Sequence, residues 1–255
     1  MKLVATLFAP LLLTGCVSLA TASALVDVSV IDRSTGERLD VYRHRGRLYV
    51  AGIPGNRYAV SLHNKSGARV LTVVSVDGIN AISGQTAAAA QSGYVLSPWQ
   101  TTQVSGWRKS MDEVAAFYFT SIDDSYAART DRPQHVGVIG VAVFREAEPP
   151  RPMPSINESE RSRAADQAGA SAAAPIRSES LNKQAESKIG TGHGERIDAP
   201  TRYTDFRRAS STPAEVITIY YDSRANLMAQ GIIGALPRYA GPNPFPGGFA
   251  PDPRY

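Results

Sequence analysis

Between Leu25 and about Glu146, apolar and polar residues alternate in short runs, without the three-to-four spacing of a helix. Val26-Asp27-Val28-Ser29-Val30 has a period of two, which puts its valines on one face of a strand, and Tyr58-Ala59-Val60-Ser61-Leu62 repeats the pattern. Leu39-Asp40-Val41-Tyr42 and Leu48-Tyr49-Val50 flank Arg45-Gly46 and predict a hairpin. Ser34-Thr35-Gly36-Glu37 and Asn64-Lys65-Ser66-Gly67 carry the residue types that tight turns need. The β-branched run 70–76 ends at Asp77-Gly78, and Tyr94-Val95-Leu96 is stopped by Pro98. Residues 101–104, 115–119 and 136–144 complete the set of expected strands. The last of these is the most apolar and is expected in a central position, its glycines letting a neighbour approach closely. Gln85–Gln91, with four consecutive alanines, fits a short helix or a loop over one end of the sheets.

Many short strands joined by Gly, Asn and Asp turns predict an all-β, β-sandwich-like domain over residues 25–147. Residues 148–189 differ in kind. They open on Pro149-Pro150-Arg151-Pro152-Met153-Pro154 and continue with Ala, Ser, Glu, Arg and Gln. A stretch so poor in large apolar groups cannot bury enough surface to offset the entropy of ordering, so a disordered linker is expected. Pattern returns in 190–236, where Val216-Ile217-Thr218-Ile219-Tyr220-Tyr221 predicts a strand. Asp222 or Ser223 would then cap a short helix from Arg224 to Gln230, ended by Gly231. One strand and one helix make a poor independent core, so this segment is expected to dock back on the sandwich, adding an edge strand. Residues 237–255 form a tail rich in Pro, Gly and aromatics.

The amino-terminal residues carry a different message. Met1-Lys2 precedes an apolar run too short to span a bilayer as a helix, the shape of a secretory signal. The run ends in Leu13-Thr14-Gly15-Cys16, which resembles the lipobox of bacterial lipoproteins. The resemblance implies a signal peptide over 1–15, cleavage before Cys16, a lipid on its thiol, and a tether over 16–24. It further implies a cell-envelope location, with the membrane as partner through the lipid anchor. Val17, in place of an acidic residue, points to the outer membrane facing the periplasm. Ala22-Ser23-Ala24 is a second cleavage pattern, which would release a soluble secreted domain beginning at Leu25.

Composition narrows the chemistry. Cys16 is the only cysteine, so the fold must be held by a core, and no second thiol exists for a disulfide or for redox work. The net charge of +4 is spread along the chain, without the interleaved aromatic and basic residues of a nucleic-acid reader, and no nucleic-acid partner is expected. His44, His63, His135 and His193 lie far apart with no metal-ligand spacing; neither a metal nor another cofactor is expected.

Two groups of residues also resemble a family of proteobacterial proteins of unknown function. The first comprises Arg57-Tyr58-Ala59-Val60, Val74-Ser75-Val76-Asp77-Gly78, Gly93-Tyr94-Val95-Leu96 and Gly106-Trp107-Arg108-Lys109-Ser110. The second is Gly190-Thr191-Gly192-His193-Gly194-Glu195 with Tyr220-Tyr221-Asp222-Ser223. The resemblance brings no activity or site residues with it.

Gly190-Thr191-Gly192-His193-Gly194 has the glycines of an anion-binding loop but lacks the strand, helix and Lys-Ser/Thr pair of a phosphate loop, and reads as a flexible turn. Asp77-Gly78 reads as a strand end, and Asp123-Asp124 lacks the spaced ligands of a calcium loop. No G-x-S-x-G elbow is present. The expectation is therefore a non-catalytic module for interaction or structural support, with an envelope protein or glycan as partner. The alternative is an envelope hydrolase cutting wall glycans with a pair of carboxylates. Gly106-Trp107-Arg108-Lys109-Ser110 admits two readings, Trp107 as a stacking platform for a ligand or as a plug in one end of the sandwich. The candidate interaction surface comprises Trp99, Trp107, Arg108 and Lys109 together with Tyr239, Phe245, Phe249 and Tyr255 of the tail.

Overall fold

The computed structural model describes residues 24–148 and 188–234. Cys16, residues 149–187 and the tail residues Tyr239, Phe245, Phe249 and Tyr255 lie outside the described residues. The strands are β1 (Val26–Asp32), β2 (Val41–His44), β3 (Arg47–Gly52), β4 (Tyr58–Asn64), β5 (Val70–Val76), β6 (Ile79–Asn80) and β7 (Tyr94–Leu96). They continue as β8 (Thr101–Val104), β9 (Gly106–Arg108), β10 (Glu113–Ser121), β11 (Val138–Arg145), β12 (Ile189–Asp198) and β13 (Glu215–Ser223). Two short helices, α1 (Tyr126–Arg129) and α2 (Arg224–Ala229), accompany them. The architecture is the all-β sandwich that the alternation predicts.

One layer has the order β2-β3-β13-β11-β5-β6, with β7 also paired to β5. The other combines β1-β4-β8 with β12-β10-β9. A bridge between Arg57 and Tyr118 links these two triplets, reinforced by Phe119 N–H to the Asn56 carbonyl at 3.0 Å and Gly55 N–H to the Phe119 carbonyl at 2.7 Å. Alternate residues of both layers meet in the core, with Val74, Val76, Ile139, Val141 and Ile219 from the first and Val28, Val30, Val60, Leu62 and Phe117 from the second. On the outer face of the first layer, Leu71, Val73 and Phe144 form a smaller cluster covered by Phe206. Arg208 seals it, its guanidinium 4.2 Å from the Phe144 ring centre.

Local chemistry explains the turns. Arg45 and Gly46 both have positive φ (47° and 75°), as do Asp77 and Gly78 (52° and 74°), the backbone that tight two-residue hairpins require. Ser223 caps α2 by accepting from the Asn226 N–H at 3.1 Å, and Ser125 caps α1 through the Ala128 N–H at 3.1 Å. Residues 85–91 contain no helix and form a turn tied to β6 by a bridge between Ile79 and Thr86.

Three expectations need correction. The carboxy-terminal strand β13 is not at an edge: it lies between β3, with which it is parallel, and β11, with which it is antiparallel. It is the strand that joins the β2-β3 hairpin to the rest of its sheet. Gly190–Gly194 is not a turn but part of β12, pairing with β10 from Ile189 onward. Glycine is a poor strand former in isolation, but at Gly192 it leaves room for the Tyr118 ring, which lies over it. Third, Trp107 is 1% exposed and belongs to the core, not to an interaction surface.

The glycines make a graded prediction. A Cβ on Gly106 would stand 2.0 Å from the Ala115 carbonyl oxygen, a backbone atom of the paired strand β10. A Cβ on Gly192 would meet the outer end of the Tyr118 ring at 2.2 Å, and this half-buried side chain can swing outward. Gly106→Ala is therefore expected to cost about 2–3 kcal/mol, the upper range for overpacking, and Gly192→Ala less than about 1 kcal/mol. Thermal melts of the two variants check the order; equal losses would refute it.

Candidate functional site

A groove of about 520 Å³ opens at one end of the sandwich, where β3 and β13 meet the turn before β11 and the start of β12. One wall is aromatic. Tyr49 and Tyr220 stand opposite each other on the parallel pair β3 and β13, their ring centres 5.5 Å apart and tilted by 32°. The Arg47 guanidinium lies over the Tyr220 ring at 5.3 Å. Gln134 and His135 contribute from the 3₁₀ turn Pro133–His135, and Lys188 from the residue before β12. Gly137 and Tyr221 also line the groove, tied by the Tyr221 N–H to the Gly137 carbonyl at 2.9 Å.

Among the described residues, Asp222 is the single carboxylate in this lining, and it is engaged within the protein. Its Oδ1 accepts from the Ser223 N–H and from Asn226 Nδ2, both at 2.8 Å, and from the Ile189 N–H at 3.4 Å. Gln230 Nε2 donates to Oδ2 at 3.4 Å. These bonds join β13, α2 and β12 around one side chain. The remaining charged groups of the lining are two cations, Arg47 and Lys188.

Behind the groove lies a buried polar chain that the sequence did not announce. Asp77, in the turn after β5, is 1% exposed. Its Oδ1 accepts from the Tyr221 hydroxyl at 2.5 Å and the Gly137 N–H at 3.0 Å, and its Oδ2 from the Thr191 N–H at 2.8 Å. Thr191 Oγ1 in turn lies 2.7 Å from the Tyr221 hydroxyl and 2.5 Å from that of Tyr58. Burial pushes the Asp77 carboxyl up to about 6, against the opposing pull of its hydrogen bonds, that of Tyr221 first among them. Burial, and then the facing Asp77 charge, raise both the Tyr58 and the Tyr221 phenols well above the ordinary tyrosine value. Both phenols therefore stay neutral. The chain ties four parts of the fold together: Asp77 comes from the β5–β6 turn, Tyr58 from β4, Thr191 from β12 and Tyr221 from β13. It also fixes Gly137 and Tyr221, which line the groove.

The residues singled out from sequence fall in several places. Trp107 packs edge-on against Phe117, ring centres 4.7 Å apart, and lies 4.7 Å from Tyr126. His193, on the exposed part of β12, sits over the same rings, 5.1 Å from Tyr126 and 6.2 Å from Trp107. Its imidazole is held below the ordinary histidine value by desolvation and then by the Lys109 charge. Arg108 is half-buried and donates to the Ala199 carbonyl at 2.5 Å, latching the chain after β12 to the turn after β9. Lys109 is exposed, its ammonium 5.7 Å from the Tyr126 ring centre. Trp99, 63% exposed and at positive φ, lies on the β7–β8 connection. It is not among the residues lining the groove.

Of the sequence-selected surface residues, the described ones, Trp99, Trp107, Arg108 and Lys109, do not line the groove. The missed residues had one legible signal, the two tyrosines Tyr49 and Tyr220 on separate strand patterns. Their register is decided only by the β3–β13 pairing. Among the described residues, no group of three or more His, Cys, Asp or Glu side chains could hold a metal ion, and no helix is long and apolar enough to cross a membrane. Comparison of the chain with protein-family models, with curated proteins and with solved structures gives no match.

Proposed function

We propose that this protein is a lipid-anchored module of the bacterial cell envelope, built to bind and not to catalyse. The observation that carries the reading is Leu13-Thr14-Gly15-Cys16 at the end of a short apolar run. The first strand begins at Val26, so a chain cut before Cys16 would have residues 16–24 as its tether. At roughly 3.3–3.6 Å per residue, such a tether spans at most about 30 Å and keeps the sandwich beside the membrane. Its lipid would contribute about 0.8 kcal/mol for each buried methylene.

The groove lining supports binding over hydrolysis. Glycoside cleavage uses two carboxylates about 5–10 Å apart, whereas the lining offers Asp222 alone, both of whose oxygens are engaged. Among the described residues, serine, threonine and cysteine are absent from the lining. Cys16→Ala is expected to abolish acylation and move the protein from the membrane fraction to the soluble periplasm. If the variant still fractionates with membranes as the wild type does, the anchoring proposal fails.

One contact favours a second reading, cleavage after Ala24. The Leu25 backbone nitrogen lies 2.8 Å from Glu215 Oε2. As a new amino terminus it would face a carboxylate, a charge-assisted contact stronger than the amide bond it replaces. Mass spectrometry of the mature protein separates the two: an acylated Cys16 supports the anchored form, and an unmodified Leu25 the released one.

A further inference from the structure

The groove has a charge balance that its own fold does not use. Arg47 and Lys188 both line it, and among the described residues neither has an ion-pair partner. Arg47 lies over the face of Tyr220. The one lining carboxylate, Asp222, is taken up by Ser223, Asn226, Ile189 and Gln230. A ligand therefore meets two uncompensated cations, two carboxamides and an imidazole, a set that favours acceptor groups and negative charge.

The opposite requirement comes from the tyrosines. Tyr49 and Tyr220 are half-buried, tilted and 5.5 Å apart, which makes a stepped apolar wall and not a flat slot between parallel rings. A puckered ring with C–H groups on one face and hydroxyls at its rim fits such a wall: the C–H face covers the rings, and the rim reaches the amides. A flat base would leave the step unfilled. Two cations also fall far short of the phosphate contacts that nucleic-acid backbones recruit. The volume, about 520 Å³, lies within the range of small-molecule sites.

We propose that the groove between Tyr49, Tyr220, Arg47 and Lys188 is a binding site for an acidic saccharide, its ring against the two tyrosines and its carboxylate held by the two cations. This rests on the reading of the protein as a binding module, and adds to it the chemical class of the ligand. Gln134 and Gln230 serve the ring hydroxyls. Asp222 acts from within, keeping α2 and the start of β12 in place so that Lys188 and Gln230 face the same space.

The test is calorimetric titration of the purified full-length protein with two disaccharides of the same β-1,4 framework. One is N-acetylglucosaminyl-N-acetylmuramic acid, which carries a lactyl carboxylate; the other is the neutral N,N′-diacetylchitobiose. The acidic probe is expected to bind about fivefold more tightly, the upper end of what one solvent-exposed ion pair contributes. Arg47→Ala and Lys188→Ala should each remove most of that preference, while Tyr220→Ala should weaken both probes. Thermal melting confirms that the charge variants, both at the protein surface, stay folded. Equal affinity for the two probes, a preference that survives in the Arg47→Ala/Lys188→Ala double variant, or no saturable binding of either probe overturns the proposal. Acylation of Cys16 is read separately by mass spectrometry, so a failure here leaves the envelope assignment standing, and a failure there leaves this one.

Discussion

Between pH 4 and pH 7 the wild-type protein is expected to lose roughly 2 kcal/mol of stability relative to its Asp77→Asn variant. The cause is the carboxyl buried in the turn after β5. Its value in the fold, about 6, lies above the ordinary 3.8. The folded state therefore holds the proton more tightly than the unfolded chain does. The resulting stabilisation is fully present below about pH 4 and is lost as the pH rises through 6. Asparagine cannot ionise, so the difference between wild type and variant isolates this one group from every other titration in the molecule. Denaturant unfolding of both proteins at closely spaced pH values provides the measurement. Two parallel pH profiles would show that Asp77 is not perturbed as described.

Absolute stability moves in a second way. The ionised carboxylate accepts three hydrogen bonds, from the buried Thr191 and Tyr221 and from the half-buried Gly137. Protonation adds a donor, which the Tyr221 oxygen accepts if its own hydrogen turns toward Thr191 Oγ1, 2.7 Å away. The hydroxyl chain thus reorients without losing a bond. An asparagine at 77 keeps one acceptor oxygen but turns an amide toward a backbone N–H that has nothing to accept with. A buried donor left unsatisfied costs about 1–3 kcal/mol, so Asp77→Asn should be less stable than wild type at pH 4 and recover part of the deficit at pH 7. Asparagine also tolerates the positive φ of this position, so the backbone of the turn does not complicate the comparison.

Trp107→Ala is expected to lose about 3–5 kcal/mol of stability, and Trp107→Phe less than half of that. Trp107 is among the largest fully buried side chains and lies between Phe117 and Tyr126, with His193 above. Truncation leaves a void bounded by rigid rings that cannot collapse into it. Among the described residues the indole Nε1 has no hydrogen-bond partner, so phenylalanine gives up volume but no polar partner there. Thermal or denaturant melts of both variants check the ranking. If the two substitutions cost the same, the contribution of Trp107 is not packing. The stacking-platform reading of this residue also predicts a specific failure: a ligand for Trp107 would have to enter a site where 1% of the residue is accessible.

Local rules made much of the fold legible. Strands β1, β4, β5 and β11 follow from period-two alternation or unbroken apolar runs. The turns at Arg45-Gly46 and Asp77-Gly78 follow from residues that accept positive φ. Helix α2 and its Ser223 cap follow from the competition between a serine side chain and the backbone. Each of these depends on atoms within a few residues of one another. β12 was not legible, because a strand with glycine at 190, 192 and 194 gains its stability from outside itself. Its pairing with β10, the Tyr118 ring over Gly192 and the Asp77 carboxylate on the Thr191 N–H are all distant in sequence.

The candidate site divides along the same line. By itself the sequence determined an all-β sandwich, the periodicity and turns that build it, and the lone Cys16 on which the anchoring proposal rests. Tertiary structure decided that β13 is central and not peripheral, which sets Tyr220 beside Tyr49. It also decided that Asp77 is buried and that Trp107 is core. The physical reason is range. Alternation and turn preference are set by neighbouring residues, whereas burial, strand order and the charge facing a groove depend on segments brought together across more than 100 residues of chain, as Asp77 and Tyr221 are, 144 apart.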